Sequence, residues 1–445
     1  MNTTRLIAAA VVLAGLGGLV WWSNKQEAAT AGAPDPKAAP KILTMTEADI
    51  TGLDIEHRGE PATTLTKDDA GKWSLKAPQA LAADQGAVGG VTAAASSLAS
   101  DHVVDENATN LASYGLDPAA IWLKFTTKDG MSHVLRIGDE TPDKAGAYVA
   151  LDGDKRLFTI STSTKMSFDK HAKDLREKHL LVFDADKLSR VELDVAGKTP
   201  IEFGRSGDKQ WQILKPRPLR ADGFQVEDLV RKLQGAEMDV NADEKQAATG
   251  YASGRPLATA RVTGAEGALT LEVRLNASDY FAHSSTTPGS YKIAQDLGMG
   301  LNKSLEDFQN KKVFDFGFDD PTRIEYTSKG DTRVIEKSGD NWTSGGKTMD
   351  SISVQNFIDK LRDMAGSSVT SGALGAAEIS LTVVSKGGER TEKVQIAPQG
   401  KNFVARRENE PSLYPLDASA ITSLREAVAG VREPPPPAKD DEGKK

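Results

Sequence analysis

The sequence predicts an α+β protein of three tandem modules, each an antiparallel sheet with helices packed against it. Three observations predict this. A tryptophan segment recurs as GKWSLKAP around Trp73, KQWQILKP around Trp211 and DNWTSGGK around Trp342, with spacings of 138 and 131 residues. Each tryptophan is followed by an aspartate (Asp84, Asp222, Asp350) and then an amphipathic helical pattern. The stretch EKHLLVFDADKLSRVEL (177–193) is echoed by NKKVFDFGFDDPTRIEY (310–326). Repeats of this length are one supersecondary assembly copied in tandem. The length of 445 residues agrees, since about 150 residues per domain gives three. The expected organisation is a head and membrane anchor at 1–22, an Ala/Pro-rich linker at 23–41, modules at 42–185, 186–318 and 319–433, and a Pro-rich, charged tail at 434–445.

Within a module, short alternating segments come first. In the second module they are VELDV (191–195), PIEFG (200–204) and the tryptophan strand WQILK (211–215). Period-two alternation marks half-buried strands. A helix follows: Asp222 is a candidate N-cap, and Val226, Leu229, Val230 and Leu233 fall at i, i+3, i+4, i+7. Val354, Phe357, Ile358 and Leu361 repeat that spacing behind Asp350. Behind Asp84 the stripe Val88, Val91, Ala95, Leu98 is loosened by Gly89 and Gly90. Further strands are expected at 121–127, 133–138, 147–152 and 156–161, at 257–264, 268–275 and 290–294, and at 379–385, 393–397 and 402–407. Asp-Gly and Gly-Gly dipeptides between several of them read as hairpin turns. A second helix closes each module at about 162–176, 296–309 and 417–429. Short turns between neighbouring strands argue for antiparallel pairing and against a doubly wound sheet.

Residues 6–22 form a 17-residue run without charge, preceded by Arg5 and followed by Lys25. That is the short end of the range for a spanning helix, and Trp21 and Trp22 suit the outer interface. A cleaved signal with Ala29-Thr30-Ala31 as its small-x-small site is the alternative. An uncleaved anchor is favoured, because the apolar run is longer than a usual signal core and the site lies well past it. Either reading sends the modules out of the cytoplasm. Ala10, Ala14 and Gly18 form a small-xxx-small stripe through which two copies could associate, although an Ala/Gly-rich helix also yields such spacing without pairing.

Composition excludes several classes. The net charge is −8 with both signs interspersed, and no basic face for nucleic acid is visible. The absence of cysteine removes disulfides, thiolate catalysis, zinc–thiolate sites and a lipoprotein cysteine. No HExxH, GxSxG, P-loop or Rossmann pattern occurs. His171 and His179 share one charged stretch, but eight residues put them about 12 Å apart along a helix, so they read as a solvated surface. No catalytic, cofactor-binding or metal-ligating residue is therefore expected. Trp73, Trp211 and Trp342 are expected as core anchors of the repeat, with a ligand-stacking platform as the alternative.

The first module carries WSLKAP (73–78), NLASYGLDP (110–118), LRIGDETP (135–142), AYVAL (147–151) and LREKHLLVFD (175–184). This order resembles the bacterial family called domain of unknown function 4340, best over about 65–190. The second module keeps WQILKP but has Gly250-Tyr251-Ala252 where the Tyr-Gly-Leu turn stood, and the third loses the proline after its tryptophan. The resemblance implies a membrane-anchored extracytoplasmic component, often encoded beside ABC-type permeases and an auxiliary protein of the gliding-motility type, with no catalytic residues to carry over. The expected function is thus a non-enzymatic accessory or scaffold protein of an envelope transport system in the bacterial inner membrane, its modules periplasmic. An envelope polymer or glycan binder is the alternative.

Overall fold

The computed structural model describes residues 40–207 and 209–435. The apolar run, the Ala10/Ala14/Gly18 stripe, most of the linker and most of the tail lie outside the described residues. Among the described residues no helix is long and apolar enough to cross a membrane. The chain divides into two compact units, Met1–Lys178 and His179–Lys445.

The first unit holds one antiparallel sheet. Its strands are β1 (Ile50–His57), β2 (Thr63–Lys67), β3 (Trp73–Ala77), β4 (Leu81–Ala82), β5 (His102–Asp105), β6 (Ile121–Thr127), β7 (Ser132–Glu140), β8 (Gly146–Leu151) and β9 (Leu157–Ser161), ordered β4-β3-β2-β1-β6-β7-β8-β9-β5. Helices α1 (Gln85–Ser96), α2 (Thr162–Phe168) and α3 (Ala172–Leu175) pack on one face. Strict alternation along β6 buries Ile121, Leu123 and Phe125 beneath them and turns Trp122 to the other face, where it is half-buried.

The second unit holds two more antiparallel sheets built to the same plan. One runs Leu219–Arg220, Trp211–Lys215, Ile201–Arg205, Leu188–Val195, Arg255–Gly264, Gly267–Asn276, Asp279–Ser284, Ser290–Ile293. The other runs Lys347–Met349, Asn341–Ser344, Asp331–Ser338, Arg323–Ser328, Ile379–Ser385, Arg390–Gln399, Asn402–Arg407, Ser412–Leu416, Thr370–Ser371. The third sheet thus reproduces the first strand for strand. The second lacks the short edge strand and has only the isolated bridge Met238–Ile293 in its place. Helices α4 (Gly223–Gln234), α5 (Glu244–Ser253), α6 (Gln295–Leu301) and α7 (Leu305–Phe308) belong to the second module, and α8 (Ser351–Asp363) and α9 (Ala418–Gly430) to the third.

The three aspartates cap their helices. Asp84 accepts from the Ala87 N–H, Asp222 from Phe224 and Gln225, and Asp350 from Ser353. Their own backbone N–H groups meet the closing segment of the same module, at Leu175 O (2.9 Å), Phe308 O (2.8 Å) and Arg432 O (2.7 Å). The apolar stripes behind them are fully buried. One wiring therefore recurs in all three copies.

The closing helices differ from the continuous segments expected. In the first module the helix breaks between Phe168 and Ala172, and in the second between Leu301 and Leu305. A fresh N-cap causes each break: Asp174 accepts from the His171 N–H (2.9 Å), and Asp307 from the Ser304 N–H (2.6 Å) and hydroxyl (2.8 Å). Several short edge strands exceed the sequence reading, as do two longer strands and a helix. Ser412–Leu416 contains Pro415, which ordinarily demotes a strand. Asp279–Ser284 carries no Val or Ile. Helix α5 has a weak apolar stripe, with Ala247 and Gly250 buried.

The other face of each sheet is covered over its far strands by the segment preceding the strand that stands fifth in the sheet order. In the first module Leu116, Ala150 and Leu157 form a small second core there, flanked by Tyr114 and Tyr148. In the second α5 does this, with Gly250 against the Phe281 ring. In the third Leu374 packs on Ala397, Val404 and Leu413.

Candidate functional site

All three repeated tryptophans lie inside their module cores, at 5%, 5% and 7% exposure for Trp73, Trp211 and Trp342. Each starts or nearly starts the strand that leads, through one short edge strand, into the capped helix, so its ring bridges sheet and helix. Gln85 ties this corner in the first module, accepting from the Trp73 N–H (2.8 Å) and donating to Trp73 O (3.0 Å) and Ala83 O (2.8 Å). In the second, the Trp211 indole N–H donates to Glu227 (2.5 Å) and the Arg205 guanidinium stacks 4.7 Å from the ring centre. Burial of the rings leaves no aromatic platform for a ligand at these positions.

The two family-like motifs of the first module touch each other. Gly115 adopts φ +67° in the Tyr-Gly-Leu-Asp-Pro turn, and a Cβ there would lie 2.3 Å from Asp139 of LRIGDETP. A Cβ at Gly138 would lie 2.1 Å from the Tyr114 carbonyl oxygen. At Gly138 only glycine lets the two backbones approach so closely, and at Gly115 it supplies the positive φ and leaves room for the Asp139 carboxylate. Arg58 fastens the turn from the side, its guanidinium donating to Gly115 O (3.2 Å) and to Pro118 O.

Arg58 sits in the β1–β2 turn, and the residues on either side of it build a second feature. Leu53, Ile55 and His57 share one face of β1, so His57 emerges at the rim of the helical layer with its side chain 13% exposed. Glu60 lies past the turn glycine Gly59 (φ +84°), its N–H bonded to His57 O (3.0 Å). Facing them is the 169–171 link between α2 and α3, held by the fully buried Phe168 and Leu175. His57 Nε2 and Asp169 Oδ1 are 2.9 Å apart, as are His171 Nδ1 and Glu60 Oε2. A carboxylate only accepts, so those ring nitrogens are the donors. The two imidazoles stack with centroids 4.1 Å apart and planes 20° apart. Donor atoms of His57, Glu60 and His171 all lie within 4.8 Å of one another.

In the sequence the histidine nearest to His171 is His179, eight residues on. The fold instead brings His171 to His57, more than a hundred residues earlier, while His179 pairs with Glu237 (3.2 Å) in the second unit. His57-x-x-Glu60 is visible as a spacing, but its partner is set by sheet topology.

The family model of a domain of unknown function, DUF4340, matches residues 73–249 and again 211–382, together more than half of the chain. The chain belongs to the DUF4340 family. Both DUF4340 matches begin on a repeated tryptophan, Trp73 and Trp211, and so follow the repeat. The match also carries the family beyond the first module, to which the motif resemblance was strongest, into the second and third. No curated protein and no solved structure matches the chain.

In the second unit of this DUF4340 chain a charge network joins the second and third modules. Arg220, beside the Asp222 cap, donates to Lys312 O and to the Tyr414 hydroxyl (3.1 Å). It also lies 3.3 Å from Glu410 and 3.6 Å from Asp315, contacts that are ionic rather than hydrogen-bonded. Arg407 pairs with Glu410 (2.7 Å) and Glu392 (2.9 Å), and the Tyr414 hydroxyl donates to Glu410 (2.9 Å). Burial pushes the Tyr414 phenol up, against the opposing pull of Arg220. The neighbouring carboxylates outweigh burial at Arg407 and raise its guanidinium further.

Proposed function

We propose that the chain is a membrane-anchored extracytoplasmic accessory or scaffold protein of an envelope transport system of the ABC type, acting by contact rather than by turnover. The observation that carries this reading is architectural: one sheet-and-helix module is repeated three times behind a 17-residue apolar run, and the repeated tryptophans are spent on module cores. Tethering beside a membrane complex raises effective concentration without any new contact. Repeated surface apolar residues support a contact function. Phe224 and Ile352 hold the same position behind the aspartate cap and are 69% and 72% exposed. The burial of Trp73, Trp211 and Trp342 counts against the alternative of glycan stacking.

The expected partner is an inner-membrane component, an ABC-type permease or its auxiliary subunit. Affinity capture from detergent-solubilised membranes should recover that complex. Deleting residues 1–22 while exporting the modules by another signal should weaken function and leave folding intact. Full function from freely soluble modules, or turnover of a small substrate by them, contradicts the proposal.

A further inference from the structure

The two-histidine, two-carboxylate cluster of the first unit offers more than a hydrogen-bond network. We propose that His57, Glu60 and His171 bind one divalent transition ion of the zinc class, with Asp169 holding the His57 imidazole from outside. The donor set is the first reason. Imidazole nitrogen with carboxylate oxygen is what zinc and its neighbours take in the absence of thiolates. Three protein donors leave a fourth position for water or for a group brought by a partner.

Placement is the second reason. His57 is held by the inward alternation of β1, and the 169–171 link is pinned by buried Phe168 and Leu175. Two of the three donors thus come from fixed backbone, and the third, Glu60, sits on a turn ordered by its bond to His57 O. Donors around a tetrahedral zinc lie about 3.4 Å apart, given bonds of about 2.0–2.1 Å. The present separations, at most 4.8 Å, need to close by about an ångström, and the stacked rings must rotate out of their parallel arrangement to aim both lone pairs at one point. His171 and Glu60 are the more exposed partners, at 37% and 53% of their side chains, and can make that movement.

The third reason is the outer shell. Asp169 accepts from His57 Nε2, which leaves Nδ1 with the lone pair. A carboxylate behind a ligating histidine fixes its tautomer and orientation and raises its basicity. The ion would also tie the β1–β2 turn to the α2–α3 link across the rim of the helical layer. The same turn fastens the Tyr-Gly-Leu-Asp-Pro segment through Arg58. Occupancy would then stabilise the family's motif region from the opposite side.

The test uses the full-length chain without a histidine tag, kept in detergent and stripped with a chelator. Zn2+ is titrated in by calorimetry, and Co2+ serves as an absorption probe of a tetrahedral nitrogen and oxygen site. The proposal expects one equivalent bound and a rise of several degrees in the unfolding midpoint at saturating metal. His171→Ala and Glu60→Gln should each weaken binding at least tenfold, and Asp169→Asn about 10–100-fold, as outer-shell changes do. His179→Ala should leave it unchanged. Circular dichroism checks folding of every variant, and Glu60→Gln, a change at an exposed side chain, keeps the test decisive if a histidine variant unfolds. Absence of binding, or binding that survives both His171→Ala and Glu60→Gln, overturns the proposal and leaves the cluster as paired hydrogen bonds.

Discussion

At Trp211 the ring is almost wholly buried while the indole N–H reaches Glu227 at the edge of the core. Truncation removes both the packing and the bridge between sheet and helix. Trp211→Ala should therefore cost about 3–5 kcal/mol, the usual range for a buried large aromatic, measured by urea denaturation. Glu227→Gln keeps an acceptor for the indole and should cost far less. Tyr414 makes a prediction in pH. Burial holds its phenol above the ordinary value, so its contribution is fully present below about pH 10 and is lost as pH rises through the folded-state value. Stability measured from pH 8 to 11 should fall on the alkaline side, and Tyr414→Phe should flatten that limb. An unchanged slope would remove Tyr414 as its cause.

Among the elements, the capped helix is the most reproducible unit. Asp222 satisfies two of the free N–H groups at the start of α4, so Asp222→Ala should lower stability by about 0.5–2 kcal/mol, and Asp222→Asn by much less. The glycine contact in the first module is stricter. Gly138→Ala would place a methyl against the Tyr114 carbonyl, a backbone group that cannot rotate away. It should destabilise the first unit by about 1–3 kcal/mol or more and shift its thermal transition. Alanine tolerated at Gly138 without such a shift would show that the two motif segments can separate.

Over the whole molecule, the second and third modules share one compact unit, and Val369 packs on both of their cores. Arg220 is the charged link between them. Removing one partner from a mostly buried ionic network leaves the others uncompensated. Calorimetry of residues 179–435 should show one cooperative transition, and Arg220→Ala should split it into two or broaden it markedly. A single sharp transition in the variant would mean that apolar contacts alone couple the modules.

Local signals carried the architecture. The Trp73, Trp211 and Trp342 strands, the aspartate caps and the Val226/Leu229/Val230/Leu233 spacing are legible in sequence because each depends on neighbours within one or two turns or along one strand. From them follow the repeat, the helical faces and the antiparallel class. What lay beyond them depends on contacts distant in the chain. Pro415 sits in a strand because its neighbours pair around it, whereas the breaks in the closing helices rest on local caps at His171 and Ser304, each closed by an aspartate within the same turn. Helix α5 forms on a weak apolar stripe because Phe281 and its sheet supply the partner surface. His57, Glu60 and His171 meet only because the β1–β6 pairing and the burial of Phe168 carry them to one rim. Side chains more than a hundred residues apart leave no spacing to read, so tertiary packing alone decided the cluster.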